Sequence, residues 1–296
     1  MKTIGFVGLG DMGSGMSKNI LKGGFDVKGY DLSETRLAEL ESAGGSRAAS
    51  CKELGETCDT IFIMVLNGNQ VKQVILGEDG ILAGAQPGTT IIISATIKPS
   101  EIAEFIEPVV AAGVGLLDTP VSGGKPGAED GQLTIMASGN TEVLEANRDV
   151  LDSISKVIFH VGETVGQGQT VKASLQAMIG TVFAGIFESM VLASKSGVEG
   201  KTLYEVFSAS GINCGLFQNC SQLILDRKFK DTGSQIATMY KDLGISIDMA
   251  RENGVPLFAT AAAFQLFQSG ISKFPDEDNW TCVKVLEDIC DTEVKW

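Results

Sequence analysis

The chain has 296 residues, enough for two domains, and its 44% hydrophobic and 20% charged content excludes a mainly disordered protein. Acidic residues outnumber basic ones by 37 to 23, a net charge of −14 that disfavours nucleic acid and anionic membranes as partners. An anionic substrate would have to be held by a local site.

The first residues enter an apolar run directly, so no targeting segment is expected. The longest uncharged apolar stretch, 177–187, is too short to span a bilayer. None of the six cysteines is spaced as CxxC, which points to reduced thiols in a cytoplasmic protein rather than a zinc ribbon or redox pair.

In chain order, an apolar run over 3–7 predicts a strand, then Gly8-Leu-Gly-Asp-Met-Gly13 predicts a turn opening a helix over 12–22. Gly8 allows the tight turn, Gly10 the approach of backbone amides to a pyrophosphate, and Gly13 close helix–strand packing. Asp11 and Met12 lie within this turn. A second run, 27–30, ends at Asp31, whose carboxylate suits the ribose diol of NAD and opposes the 2′-phosphate of NADP. Arg36 stands a turn into the helix predicted over 34–43 and is the one feature that relaxes this preference.

Further strands are predicted over 60–66, 89–94, 115–117, 133–137 and 157–161, with helices over 100–112 and 142–153. This alternation predicts a doubly wound parallel sheet, with ligands at the carboxyl ends of its strands. Leu66 closes one run and counts among the cofactor-side candidates. After the run 115–117 comes Asp118-Thr-Pro-Val-Ser-Gly-Gly124, where Ser122, Gly123 and Gly124 offer a hydroxyl and open amides for a carboxylate. The single histidine, His160, reads as a hydrogen-bonded strand residue, so the proton-transfer group is sought elsewhere.

The rhythm changes after Gly162. A long apolar helix is predicted over 171–196, with Lys172 at its start, where the helix dipole and partial burial favour a neutral amine. Gln176 follows one turn later on the same face. More helices are predicted over 201–208, 217–226, 234–252 and 256–268. Lys241 and Asp248 share a face of the third of these, an arrangement that by itself marks a solvated helix. Two domains are expected, 1–164 and 165–296.

Four of these segments, in this order, resemble the β-hydroxyacid dehydrogenase family. Gly8-Leu-Gly-Asp-Met-Gly13 resembles its cofactor motif and Asp118-Thr-Pro-Val-Ser-Gly-Gly124 its substrate motif. Gly166-Gln-Gly-Gln-Thr-Val-Lys172 resembles its catalytic motif and Lys241-Asp-Leu-Gly-Ile-Ser-Ile-Asp248 its cofactor-closing motif. The resemblance implies an N-terminal Rossmann-type domain and an all-helical C-terminal substrate and dimerisation domain, joined by a long interdomain helix. It also implies NAD as cofactor, no metal, a homodimer or homotetramer, and a small hydroxy acid as substrate. Carried over by position, Lys172 is the catalytic lysine, Ser122, Gly123 and Gly124 bind the carboxylate, Thr96 lies near the nicotinamide, and Lys241 reaches the cofactor cleft.

Two features depart from the common family pattern. Gln176 stands where the family usually has asparagine, and Ser94-Ala-Thr96 replaces an aspartate–serine–threonine run. Both are closer to the L-threonate dehydrogenase branch, which handles four-carbon sugar acids. The alternatives are 3-hydroxyisobutyrate oxidation, tartronate semialdehyde reduction and a cofactor-binding regulator without turnover; an imine reductase is disfavoured because such relatives usually lack the lysine. Asn213, Cys214 and Phe217 are candidates for a specificity wall.

Overall fold

The computed structural model describes residues 2–296. The chain divides after Lys172 into two compact units. The first opens with β1 (Thr3–Val7), α1 (Asp11–Lys22), β2 (Asp26–Tyr30), α2 (Glu34–Ser42), β3 (Ser46–Arg47), α3 (Cys51–Thr57) and β4 (Thr60–Ile63). It continues through α4 (Gly68–Leu76), β5 (Thr90–Ile93), α5 (Pro99–Ala111), β6 (Gly115–Asp118), β7 (Val121–Ser122), α6 (Gly124–Glu129) and β8 (Leu133–Ser138). The short helices α7 (Thr141–Ala146) and α8 (Arg148–Asp152) lead to β9 (Ser155–Gly162).

The strands form one sheet in the order β3-β2-β1-β4-β5-β6-β8-β7, with β9 also paired to β8. The pairs from β3 through β6 are all parallel, which is the expected doubly wound arrangement. Beyond β6 the sheet is mixed: β8 runs antiparallel to β6 and β7, and β9 parallel to β8. The parallel expectation thus holds from β3 through β6 and gives way after β7, where the chain reverses through α6 into β8. Strands β4 and β5 are buried throughout, as central parallel strands should be. One face packs on Leu9, Met16, Ile20 and Phe62, the other on Ile61, Ile63, Ile91 and Phe105.

Two local differences have identifiable causes. The helix expected over 142–153 is broken at Asn147, whose buried side chain accepts from Thr60 Oγ1 at 2.6 Å and donates to Val143 O at 2.8 Å. Helices α3 and α4 lie where no helix is predicted. They are short, and the residues that cap them, Ser50 and Asn67, resemble turn formers in the sequence.

The helix α9 (Gln167–Lys195) runs through the division between the units. It begins earlier than predicted, which places Lys172 in its second turn rather than its first. By length and composition α9 could cross a membrane, yet it supplies Phe183, Phe187, Met190 and Val191 to the second unit's core. The second unit continues with α10 (Gly200–Ser208), α11 (Gly215–Leu225), α12 (Ile236–Glu252), α13 (Phe258–Lys273) and α14 (Cys282–Cys290). Its core centres on Phe183, Phe187, Phe267 and Trp280, with Phe183 and Trp280 edge to face at 5.5 Å between ring centroids. Phe217 is buried in the same core, so it is a packing residue rather than part of a substrate wall. Asn213 and Cys214 are exposed just before α11.

Candidate active site

The turn between β1 and α1 has three glycines with different reasons to be glycine. Gly8 has φ +90°, and a Cβ there would lie 2.3 Å from Met64 O. A Cβ on Gly13 would lie 1.9 Å from Gly8 O. Both are therefore required by the fold. A Cβ on Gly10 would meet nothing closer than Arg36 at 3.7 Å, so packing does not require this glycine. Gly10 also stands at the N-cap of α1 without offering a side-chain acceptor to the helix amides. An open, uncapped helix start of this kind fits the pyrophosphate of a dinucleotide. Asp11 is exposed and Met12 half-buried beside it.

Asp31 follows β2 at the same end of the sheet. Its Oδ2 accepts from Leu9 N at 2.6 Å and its Oδ1 from Ser33 N at 2.9 Å. A carboxylate has about four acceptor positions, so these bonds fix its orientation while leaving room for ribose hydroxyls. Arg36 lies in the first turn of α2, nearer the helix start than expected, and its guanidinium reaches back to 3.7 Å from Asp31 Oδ2. Leu66 is 70% exposed beyond β4, and its N–H donates to Gln70 Oε1 at 2.8 Å.

The segment Ser122-Gly123-Gly124 joins β7 to α6. Gly123 and Gly124 have φ of 139° and 60°, and both are exposed. These left-handed conformations favour glycine. Helix α6 is locked to α1 because Gly15 leaves room for it: a Cβ there would lie 2.6 Å from the Ala128 backbone. Asn19 adds bonds from Nδ2 to Ala128 O at 2.8 Å and to Glu129 O at 3.0 Å. The carboxylate-loop candidate and the pyrophosphate-turn candidate are thus built on the same helix pair.

The start of α9 is tied to the sheet by polar groups. Asp118, fully buried at the end of β6, accepts from Gln169 N at 2.9 Å, Gln169 Nε2 at 2.8 Å and Ser138 Oγ at 3.1 Å. Ser138 Oγ in turn accepts from Gly168 N at 3.0 Å. Burial pushes the Asp118 carboxyl up to about 6, against the downward pull of its hydrogen bonds from Gln169 and Ser138. Lys172 follows one turn later and is 7% exposed, which removes the reading of a solvated linker lysine. Thr96 is half-buried in the loop after β5.

In the second unit, Gln176 Nε2 donates to Asp242 Oδ2 at 2.7 Å and faces Met239 Sδ at 3.7 Å. Lys241 Nζ lies 2.9 Å from Asp242 Oδ1. Lys241 therefore pairs with its buried neighbour, while Asp248 meets Arg251 at 3.3 Å. His160 is a hydrogen-bonded strand residue, with Nε2 at 3.0 Å from Gly139 O. All six cysteines are free thiols.

Residues 3–162 match the model of the NAD-binding domain of 6-phosphogluconate dehydrogenase, and residues 166–286 that of the NAD-binding of NADP-dependent 3-hydroxyisobutyrate dehydrogenase. The chain is 35% identical over 289 residues to L-threonate dehydrogenase of Cupriavidus necator, covering 97% of each. It is 33% identical to 2-(hydroxymethyl)glutarate dehydrogenase of Eubacterium barkeri, covering 98% of this chain and 97% of the other. The chain belongs to the NAD-dependent β-hydroxyacid dehydrogenase family. The crystal structure of 3-hydroxyisobutyrate dehydrogenase from Salmonella typhimurium superposes with a TM-score of 0.87 at 31% identity, covering 96% of this chain and 100% of the other.

Several polar residues of this dehydrogenase carry no role in the sequence reading. Asp118 and Gln169 lie inside segments singled out there, but a buried carboxylate and a buried amide are not told from exposed ones by residue type. Asp242 lies inside a third such segment, and Asn19 sits in a helix whose pattern looks ordinary. A clue for Asp118 is its position straight after an apolar strand, where a charge is either exposed or bonded.

Proposed function

We propose that this dehydrogenase transfers a hydride between NAD and a small hydroxy acid, specifically a four-carbon sugar acid such as L-threonate. The observation that carries the reading is the buried Lys172, one turn beyond a helix start anchored at the carboxyl end of the sheet. Bound NAD would supply the hydride acceptor. Gly8, Gly10, Asp11, Met12 and Gly13 would hold its pyrophosphate, Asp31 its ribose, and Leu66, Thr96 and Lys241 its remaining contacts. In oxidation a neutral Lys172 amine takes the substrate hydroxyl proton; in reduction the ammonium returns it. Ser122 and the amides of Gly123 and Gly124 hold the substrate carboxylate.

The four-carbon substrate is supported by the similarity to the Cupriavidus necator enzyme and by Gln176. Gln176 gives its amide nitrogen to Asp242 and Met239, which leaves its carbonyl oxygen as the atom offered to a ligand. An acceptor there suits a hydroxyl of a polyhydroxy acid better than the methyl group of 3-hydroxyisobutyrate. We place the protein in the cytoplasm, consistent with its free thiols.

Specificity constants with NAD and NADP decide among the readings. The panel is L-threonate, 3-hydroxyisobutyrate, tartronate semialdehyde in the reducing direction, and the methyl ester of the best acid. The expected ranking places L-threonate first, NAD above NADP, and the ester far below its acid, because the amides of the loop gain most from a full charge. Tight NAD binding without turnover would favour the regulator reading. Equal constants for acid and ester would remove Ser122, Gly123 and Gly124 from carboxylate binding.

A further inference from the structure

The carboxamide of Gln169 is 1% exposed, and each of its three polar positions is used. Nε2 donates to Ala95 O at 2.9 Å and to Asp118 Oδ1 at 2.8 Å, and Oε1 accepts from Ile97 N at 3.0 Å. The amide thus spans Thr96, gripping the residue on either side of it. The same Asp118 carboxylate accepts the backbone N–H of Gln169, and Ser138 relays a further bond from Gly168 N. Asp118 and Ser138 are register partners across β6 and β8, so the acceptors stand on the sheet itself. The backbone also requires this close approach: a Cβ on Gly168 would lie 2.4 Å from Met136 O.

We propose that Asp118 and Gln169 are positioning residues for the reaction, holding the second turn of α9 with Lys172 in fixed register with the loop that carries Thr96. Lys172 is three residues beyond Gln169 on the same helix face, so a slip at the clasp displaces the amine directly. A purely structural tie between a loop and a helix needs no charge, and burying a carboxylate is costly. The carboxylate offers what a neutral side chain cannot, acceptors for three donors at fixed directions. This inference rests on the reading of Lys172 as the proton-transfer residue.

A double-mutant cycle between Gln169→Leu and Lys172→Ala tests it. The readout is single-turnover NADH formation, with L-threonate or the panel acid of highest kcat/KM. Gln169→Leu in the native background should lower the hydride-transfer rate about 10- to 100-fold, the scale of a misplacement near 1 Å, with KM for NAD within about twofold. In the Lys172→Ala background the same substitution should change the rate less than about twofold, because the group it positions is already gone. Ser138→Ala removes the acceptor of Gly168 N and one donor to Asp118, leaves the Gln169 bonds in place, and keeps the clasp testable if Gln169→Leu does not fold. Its loss should be severalfold in the native background and absent beside Lys172→Ala. Equal losses in both backgrounds, or no loss in either, would overturn the positioning role while leaving the lysine's role intact. An undiminished rate in Lys172→Ala alone would overturn the lysine reading and this inference with it.

Discussion

Asp118 is fully buried and accepts from Gln169 N, Gln169 Nε2 and Ser138 Oγ. Burial raises its carboxyl from 3.8 to about 6. A folded-state value above the unfolded one means that the folded protein binds the proton more tightly. The group's contribution to stability is then fully present below about pH 4 and is lost as pH rises through about 6. Asparagine at this position has no such titration. Thermal or urea unfolding of the native protein and Asp118→Asn should show their stability difference moving in the native protein's favour between pH 7 and pH 4. A difference independent of pH would mean that the carboxyl titrates alike in both states. At this scale the sequence was partly legible. Lys172 and its partial burial could be read from its motif, but not its near-complete burial in the second turn, since the helix begins at Gln167 and not near Val171.

At the scale of elements, the glycines of the first turn separate fold from ligand. Gly13→Ala places a methyl group 1.9 Å from Gly8 O and should destabilise the protein severely, by backbone displacement rather than by loss of a contact. Gly10→Ala meets only Arg36, at 3.7 Å, and should melt close to the native protein. Its NAD affinity should nevertheless fall at least tenfold, because the methyl group occupies the path of the pyrophosphate. Melting curves together with NAD titration read both effects; unchanged NAD affinity in Gly10→Ala would move the pyrophosphate away from this turn. Strands were legible because buried parallel strands are continuous apolar runs, as in Ile61–Ile63 and Ile91–Ile93. The reversal into β8 was not, since the two-residue β7 before it gives no periodicity. Helices α3 and α4 were hidden by polar capping residues, and the break at Asn147 depends on strand-end hydroxyls distant in sequence.

For the molecule as a whole, the composition predicted an acidic two-domain protein, and the similarity of nearly the full chain to family members agrees with that. Its assembly is a proposal that rests on α9 and α13. Met178 and Leu192 on α9 are 68% and 70% exposed, and Phe258 at the start of α13 is 85% exposed. Large apolar side chains on so apolar a helix suit a second copy of the chain, so a homodimer or homotetramer is expected. Sedimentation equilibrium should give an integral multiple of the 31.1 kDa chain, and Met178→Asp with Leu192→Asp should lower it. A native protein sedimenting as a monomer at micromolar concentration would contradict this.

The proposed proton transfer by Lys172 in an NAD-linked oxidation is open to a single comparison. The turnover number of Lys172→Ala is measured against the native protein, at saturating NAD and with the best acid of the panel, alongside NAD binding by both. kcat should fall by ~10²–10⁴, the range for losing a general acid or base, with NAD affinity nearly unchanged. An undiminished kcat in Lys172→Ala would contradict it.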